Sequence, residues 1–286
     1  MEFTIAHNTA YYYETPVKES YTVLHLQPRS DTNQFCTKYA LRVSPVASIH
    51  RYVDRFANNV EHFEILPGHS SLSITATSLV VTTIPSPVAE PTAATRDLLD
   101  ADPATPELYD YIHSSAFVQF TPELEQFLWE LPSPGEHIGQ WCLQVSHAIK
   151  AGFVYDKSAT TVRSTIAESL RLRAGVCQDF THIMIAVLRA AGIPARYVSG
   201  YIFGGDRVLG AEASHAWCEA YLPPYGWFGI DPTNDRLIDD QFVKIAIGRD
   251  YGDVSPVRGV YKGSSEGLLS VNVEMEVLGS QQQQQQ

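Results

Sequence analysis

The chain has little cysteine: four residues in 286 (Cys36, Cys142, Cys177 and Cys218), with no CxxC pair. Thiols this scattered suit neither a disulfide framework nor a zinc site. They make a reduced, cytoplasmic setting the expectation. Basic residues are also scarce, since 20 Lys and Arg against 32 Asp and Glu leave a formal charge of −12. That balance argues against nucleic acid or an anionic membrane as the partner. No apolar run approaches the ~20 residues needed to span a bilayer. The opening MEFTIAHNTAYYYE lacks the basic cluster and apolar run of a secretory signal. The D-x-D-x-D-G pattern of a calcium loop is missing too, so neither metal nor cofactor is expected. There is no internal repeat.

What the chain does have is core-forming material, with 44% hydrophobic and 11% aromatic residues. That is enough for one large domain or two smaller ones. Residues 1–84 read as a β-rich domain: FTIAHNTAYYYE, TKYALRVSP and SLSITATSLVVTTIP are β-branched and aromatic segments separated by turn signals. ANNVEHFEIL reads as a hairpin turning at Asn58 and Asn59, because Asn tolerates the left-handed conformation. Five prolines between Pro85 and Pro106 mark residues 85–115 as a linker or crossing segment. Residues 116–279 carry the helices and later strands, including LLSVNVEMEVL. Residues 280–286 form a low-complexity glutamine tail, expected to be disordered.

Helix signals are explicit. Thr121-Pro122 supplies an N-cap and a first-turn proline ahead of ELEQFLWEL. Ile138, Trp141, Cys142, Val145 and Ile149 form one buried stripe, so Cys142 reads as core. Thr165 and Glu168 form a capping box. Phe180, Ile183, Met184, Val187, Leu188 and Ala191 define a further buried helix, closed by Gly192 with Pro194 beyond it. Gly175 precedes that helix, so Cys177 lies at its N-terminal tip. Free N–H groups there carry roughly half a positive charge, which favours a thiolate and could bind an oxyanion. The competing reading of Cys177 is a small core residue filling space.

Downstream, SHAWCEAYLPPYGWFGIDPT reads as two strands joined by a tight turn, following ARYVSGYIF and a Gly204-Gly205-Asp206 turn. His215, Trp217, Glu219 and Tyr221 share one face of the first strand, with Ala216, Cys218 and Ala220 on the other. Pairing about PPYG brings His215 close to Asp231 on the second strand. A carboxylate there could bond one imidazole nitrogen and aim the other at a thiol. Taken singly, His215 reads as structural and Asp231 as a turn residue. The ordered set of Cys, His and Asp is far more specific than any one of them.

GVCQDFTHIMIAVLRAAGIPARYVSGY followed by HAWCEAYLPPYGWFGIDPT resembles the core of the transglutaminase-like superfamily of papain-type cysteine enzymes. TAYYYETPV, LQPR and DRFANNVEHFEI are similar to the β-rich N-terminal domain of bacterial transglutaminase-like proteins. KIAIGRDYGDVSPVRGVYKG resembles the segment that follows the core in that group. The resemblance implies an α+β protein with an N-terminal β-rich domain and a papain-like catalytic core. It also implies Cys177 as nucleophile, His215 as base and acid, and Asp231 as its orienter. The expected chemistry is acyl transfer from a carboxamide or peptide bond through a thioester, with a protein or peptide as substrate. An amine acceptor makes a transglutaminase and water a protease or amidase. A silent, partner-docking domain is the reading from another class.

Other residues are weighed beside these. Cys218, opposite His215, should be buried and inert. His182 is off the face of Cys177, which disfavours a metal site using both. Glu219 shares the face of His215 and could contact substrate, but is expected as an exposed strand glutamate. Arg249, Asp250 and Asp253 fit a self-bonded loop or a cleft wall equally. Trp141 and Gln178 are candidate second oxyanion donors. A short proline-rich crossing predicts that the N-terminal domain packs against the core.

Overall fold

Phe3, Ile5, His7 and Thr9 are buried and alternate with more exposed neighbours, the period of two that a half-buried strand requires. They open β1 (Glu2–Leu24), the longest strand of the first sheet. The computed structural model describes residues 1–84, 88–101, 106–204, 208–211, 213–264 and 267–278. After β1 come β2 (Gln34–Ser44), β3 (His50–Val53), β4 (Asn59–Ile65) and β5 (His69–Thr82). A helical stretch follows: α1 (Arg96–Ala101), α2 (Pro106–Tyr109), α3 (Pro122–Glu130) and α4 (Ile138–Gly152). Next are β6 (Val154–Tyr155), α5 (Ile166–Leu172), β7 (Ala174–Gly175), α6 (Cys177–Ala190), β8 (Ala195–Ile202), β9 (His215–Leu222) and β10 (Gly226–Asp231). The chain closes with β11 (Arg236–Leu237), β12 (Phe242–Gly248), α7 (Tyr251–Val254), β13 (Val257–Lys262) and β14 (Gly267–Val277). None of the described helices is long and apolar enough to cross a membrane.

The first sheet has the order β2-β5-β1-β4-β3, and β13 and β14 also pair with β1. The first half of β1 lies between β5 and β14, its second half between β4 and β13. The C-terminal strands, expected with the catalytic core, therefore return to the N-terminal sheet. A strand's composition does not name its partner, and β1 is long enough to offer β14 a continuous register from Phe3↔Val277 to Tyr13↔Gly267. The expected β3–β4 hairpin forms, but its left-handed residue is Ala57 (φ 59°), not either asparagine.

The second sheet is antiparallel, in the order β11-β10-β9-β8-β12. On one face Tyr197, Tyr201, Ala216, Cys218 and Ala220 share a core with α4, α5 and α6. Val198, Trp217, Ile238 and Phe242 form a separate core on the other. The helix starts behave as their sequences dictate. Thr121 accepts the Leu124 N–H, and Thr165 and Glu168 cap each other's backbones. The α4 stripe is buried in full. In α6 burial goes beyond the expected stripe and runs from Cys177 to Arg189, because the helix lies between the sheet and the other helices.

The first sheet packs on the core. Phe3, Ile5 and Val80 belong to the main hydrophobic cluster, and His7 Nδ1 bonds the Tyr201 hydroxyl at 2.8 Å. Two side-chain amides cover the open edge of β12. Gln34 bonds the N–H and C=O of Lys244 at 2.7 and 2.7 Å, and Asn58 bonds those of Ile247 at 2.8 and 2.8 Å. Each amide pairs like a residue of a missing neighbouring strand, so no buried backbone group at those positions is left without a partner. The glutamine tail and two residues of the Gly204-Gly205-Asp206 turn lie outside the described residues.

Candidate active site

The tip of α6 is set by what precedes it. Arg173 ends α5 in the left-handed conformation (φ 51°), β7 pairs with β6, and extended Val176 leads into Cys177. Asp179, in the first turn, fastens this entry. Its Oδ2 accepts the Val176 N–H at 2.8 Å and the Thr160 hydroxyl at 2.7 Å, and its Oδ1 accepts the Ser169 hydroxyl at 2.9 Å. Gly175 is required beside it, since a Cβ there would lie 2.6 Å from Asp179 Oδ2 and 2.8 Å from its Cβ. Cys177 is thus the first residue of a rigid helix, 9% exposed. The first N–H groups of that helix have no intrahelical acceptor.

His215 opens β9 and Asp231 closes β10. The register Ile230↔Cys218 sets Asp231 beside Trp217, on the same face as His215. His215 Nε2–H donates to Asp231 Oδ2 at 2.8 Å, with both side chains fully buried. The carboxylate also accepts the N–H groups of Thr233 (2.8 Å) and Asn234 (3.3 Å) and the Asn234 amide (2.8 Å). Burial works against its charge, but His215 and these bonds outweigh it and hold the carboxyl below its ordinary range. Burial likewise opposes the imidazolium. The charge and hydrogen bond of Asp231, helped by Cys177, override it and push the ring up to about 10. The other nitrogen, Nδ1, is buried and completes no hydrogen bond of good geometry. Cys177 is still close enough to add to the ring's hold on a proton.

The structure therefore pairs His215 with Asp231 and sets Cys177 near the ring. The other candidates separate from them. Trp141 donates its indole N–H to Pro132 O at 2.7 Å, and Gln178 turns its amide to Val162 O at 3.2 Å, so both expected oxyanion donors are engaged elsewhere. Cys142 and Cys218 are fully buried, which pushes the Cys142 thiol up to about 12 and that of Cys218 well above its ordinary value. His182 is buried against Phe117 and Tyr197, accepts the Tyr251 N–H at 3.1 Å and is held down to about 4 by burial. Among the described residues no group of three or more His, Cys, Asp and Glu is placed to hold a metal.

Glu219 departs from expectation. It is buried and bridged by Arg196 and Lys244, each at 2.6 Å, because the N-terminal domain covers that face of β9. Asp250 caps α7 through the Gly252 N–H and also accepts the N–H of Phe117, and Arg249 pairs with Asp253, so this segment is a short capped helix bonded within itself and to Phe117. Two site residues escaped the sequence reading. Asp179 left a signal, an acid three residues after the N-cap. Asn234 left only the turn-forming run Asp-Pro-Thr-Asn.

Residues 137–232 match the family model of the transglutaminase-like superfamily, and residues 3–81 match that of the bacterial transglutaminase-like N-terminal region. An uncharacterized protein of Mycobacterium tuberculosis is 33% identical over 304 residues, spanning 96% of this chain and 92% of its own. A protein-glutamine gamma-glutamyltransferase of Pseudomonas aeruginosa is 45% identical over 67 residues, 21% of this chain and 10% of its own. A crystal structure from Cytophaga hutchinsonii, described as a "Putative Cysteine Protease", superposes with a TM-score of 0.79. It is 23% identical, over 98% of this chain and 91% of its own, and shares the fold.

Proposed function

Because this chain belongs to the transglutaminase-like superfamily, we propose that it is a cysteine enzyme that transfers acyl groups through a thioester. In this reading Cys177 is the nucleophile, His215 the base and acid, and Asp231 the residue that orients His215. The observation that carries the reading is the buried 2.8 Å His215–Asp231 pair, with Cys177 near enough to strengthen the ring's hold on a proton.

The steps follow from that geometry. The Cys177 thiolate adds to the carbonyl carbon of a carboxamide or peptide bond, and the displaced electron pair moves onto oxygen. N–H groups at the start of α6 meet that charge. As the carbonyl reforms, the C–N bond breaks and the amine leaves with a proton from His215. Neutral His215 then takes a proton from the second nucleophile as it attacks the thioester, and Cys177 departs as thiolate. Asp231 stays ionised throughout and fixes the ring.

An amine as second nucleophile is supported by two features. The base nitrogen is closed to solvent, which disfavours bulk water there, and the acidic surface draws cationic amines. The Pseudomonas relative's name points the same way. Water as acceptor is supported by the name given to the Cytophaga structure, which covers nearly the whole chain. The same proposal puts the protein in a reducing compartment, where its free thiols persist.

The test incubates the full chain with a glutamine-containing peptide and a fluorescent primary amine, and weighs the products. Amine incorporation with loss of ammonia marks a transferase; deamidation or cleavage marks a hydrolase. Turnover that survives in Cys177→Ala would refute the thioester reading, because losing a nucleophile costs orders of magnitude.

A further inference from the structure

Gly210 lies against Nδ1 of the catalytic imidazole, at the edge of the ring away from Asp231. Its φ is +89°, and a Cβ there would come 2.4 Å from His215 Nδ1 and 3.1 Å from Cε1. The segment is held in place by a side chain from the opposite direction. Asn234 Oδ1 accepts the Leu209 N–H at 2.9 Å, and Asn234 Nδ2 donates to Leu209 O at 3.1 Å. The second hydrogen on the same nitrogen goes to Asp231 Oδ2 at 2.8 Å, the oxygen that accepts the His215 Nε2–H. Every polar atom of this amide is thus committed, with two bonds to the segment beside the base and one to the carboxylate behind it.

We propose that Asn234 is a positioning residue: one amide fixes the Asp231 carboxylate toward His215 and seats Gly210 against the opposite ring nitrogen. This rests on the triad reading and extends it. An isolated aspartate could rotate its carboxylate, and an untethered turn could lift off Nδ1. Either motion loosens the imidazolium and, through it, the thiolate it stabilises.

The surrounding charges isolate the effect. From β9, His215 touches Asp231, and from α6, Cys177 adds to the ring's hold on a proton. From α4, Lys150 bonds Thr233 O and His147 bonds Asp235. Arg236 on β11, in register with Asp231, sends its guanidinium to Asp239 and Gln241.

The experiment measures iodoacetamide alkylation of the full chain across about pH 5–9, read on the peptide containing Cys177 because Cys36 is also accessible. Asn234→Ala should shift the acid limb upward by about 0.5–1 pH unit, the scale of one hydrogen bond to a charged group shared across the triad. Its rate relative to wild type should therefore fall as pH falls. Asn234→Asp should do the opposite. At neutral pH it sets a second carboxylate against Asp231, and on mild acidification one proton shared between the two restores a donor. Its relative rate should rise as pH falls. A residue that only held the fold together would scale the rate without opposite pH slopes. Profiles of both variants that parallel wild type, while His215→Ala shifts its own, would overturn the role of Asn234 and leave the triad standing. A His215→Ala profile identical to wild type would overturn the triad and this inference with it.

Discussion

Asp231→Asn keeps the shape of the side chain and removes its charge, which makes it the sharpest probe of the buried pair. All four neighbours of the carboxylate are donors: His215 Nε2, the N–H groups of Thr233 and Asn234, and the Asn234 amide. An asparagine has one acceptor oxygen, so its NH2 must face two of these donors. Each buried donor stranded in this way costs about 1–3 kcal/mol. Breaking a buried ion pair as a whole costs about 3–5 kcal/mol, and we take that as the size of the loss. The pH dependence has a definite sign. His215 titrates at about 10 when folded, against 6.5 for the free side chain. Between those values the native state holds a proton that the unfolded chain has released. The contribution is complete below about pH 6.5 and drains away as pH rises, by about 1.4 kcal/mol per unit. Asp231, held low, adds a contribution present above about pH 4 and lost in acid. The stability gap between wild type and Asp231→Asn should therefore be widest near about pH 6 and narrow by about 3–4 kcal/mol toward pH 9. Urea unfolding at several pH values measures it. A gap that stays constant over this range would mean the pair is not ionic in the folded protein.

Other expectations follow from the same contacts. Asn58→Ala strips both backbone groups of Ile247 of their partners and should cost about 2–4 kcal/mol in urea unfolding, with the Cys177 alkylation profile unchanged; a cost near zero would show that the amide cap on β12 is dispensable. Asp179→Asn leaves one acceptor oxygen for three donors that two oxygens now share and should cost about 1–3 kcal/mol. Hydrogen exchange at the Val176 amide should then quicken, and unchanged protection would refute the role given to that carboxylate. Cys218→Ala leaves a small void under α6 and should cost about 1–2 kcal/mol while amine incorporation persists; abolished turnover in a folded variant would put Cys218 in the chemistry.

The tip of α6 was legible because its determinants are local. A glycine, a helix-period apolar run and a cysteine three residues before Phe180 lie within a few turns of each other, and the α5 capping box is a four-residue pattern. The His215–Asp231 proximity was legible for a related reason, since a hairpin closed by a tight turn fixes its own register. Glu219 was misread because alternation along β9 says which face a residue takes but not what covers that face. The cover is Asp31 and its neighbours, nearly two hundred residues upstream, with Lys244 bridging the two carboxylates. Asn234 was invisible for the same kind of reason, since its meaning lies in Leu209 and Asp231 at once. Ala57 defied the turn rule because Asn58 is held by its bonds to Asp54 and Ile247, which dictate the backbone around it.

These long-range contacts bear on how the two halves should be separated. Cutting the chain near Ala116 would look like a clean removal of the N-terminal domain, but β13 and β14 would stay behind with no β1 to pair with. It would also strip Gln34 and Asn58 from the β12 edge and Asp31 from the Glu219–Lys244 bridge. Leu268, Leu269, Val260 and Tyr261, already exposed in part, would then sit on unpaired strands, the pattern that promotes edge-to-edge aggregation. An insoluble truncation would follow from orphaned strands alone and would say nothing about substrate choice. Substitution at Gln34 or Asn58 loosens the contact while leaving every strand paired. Any change in product distribution in such a variant can therefore be assigned to the position of the β-domain over the core.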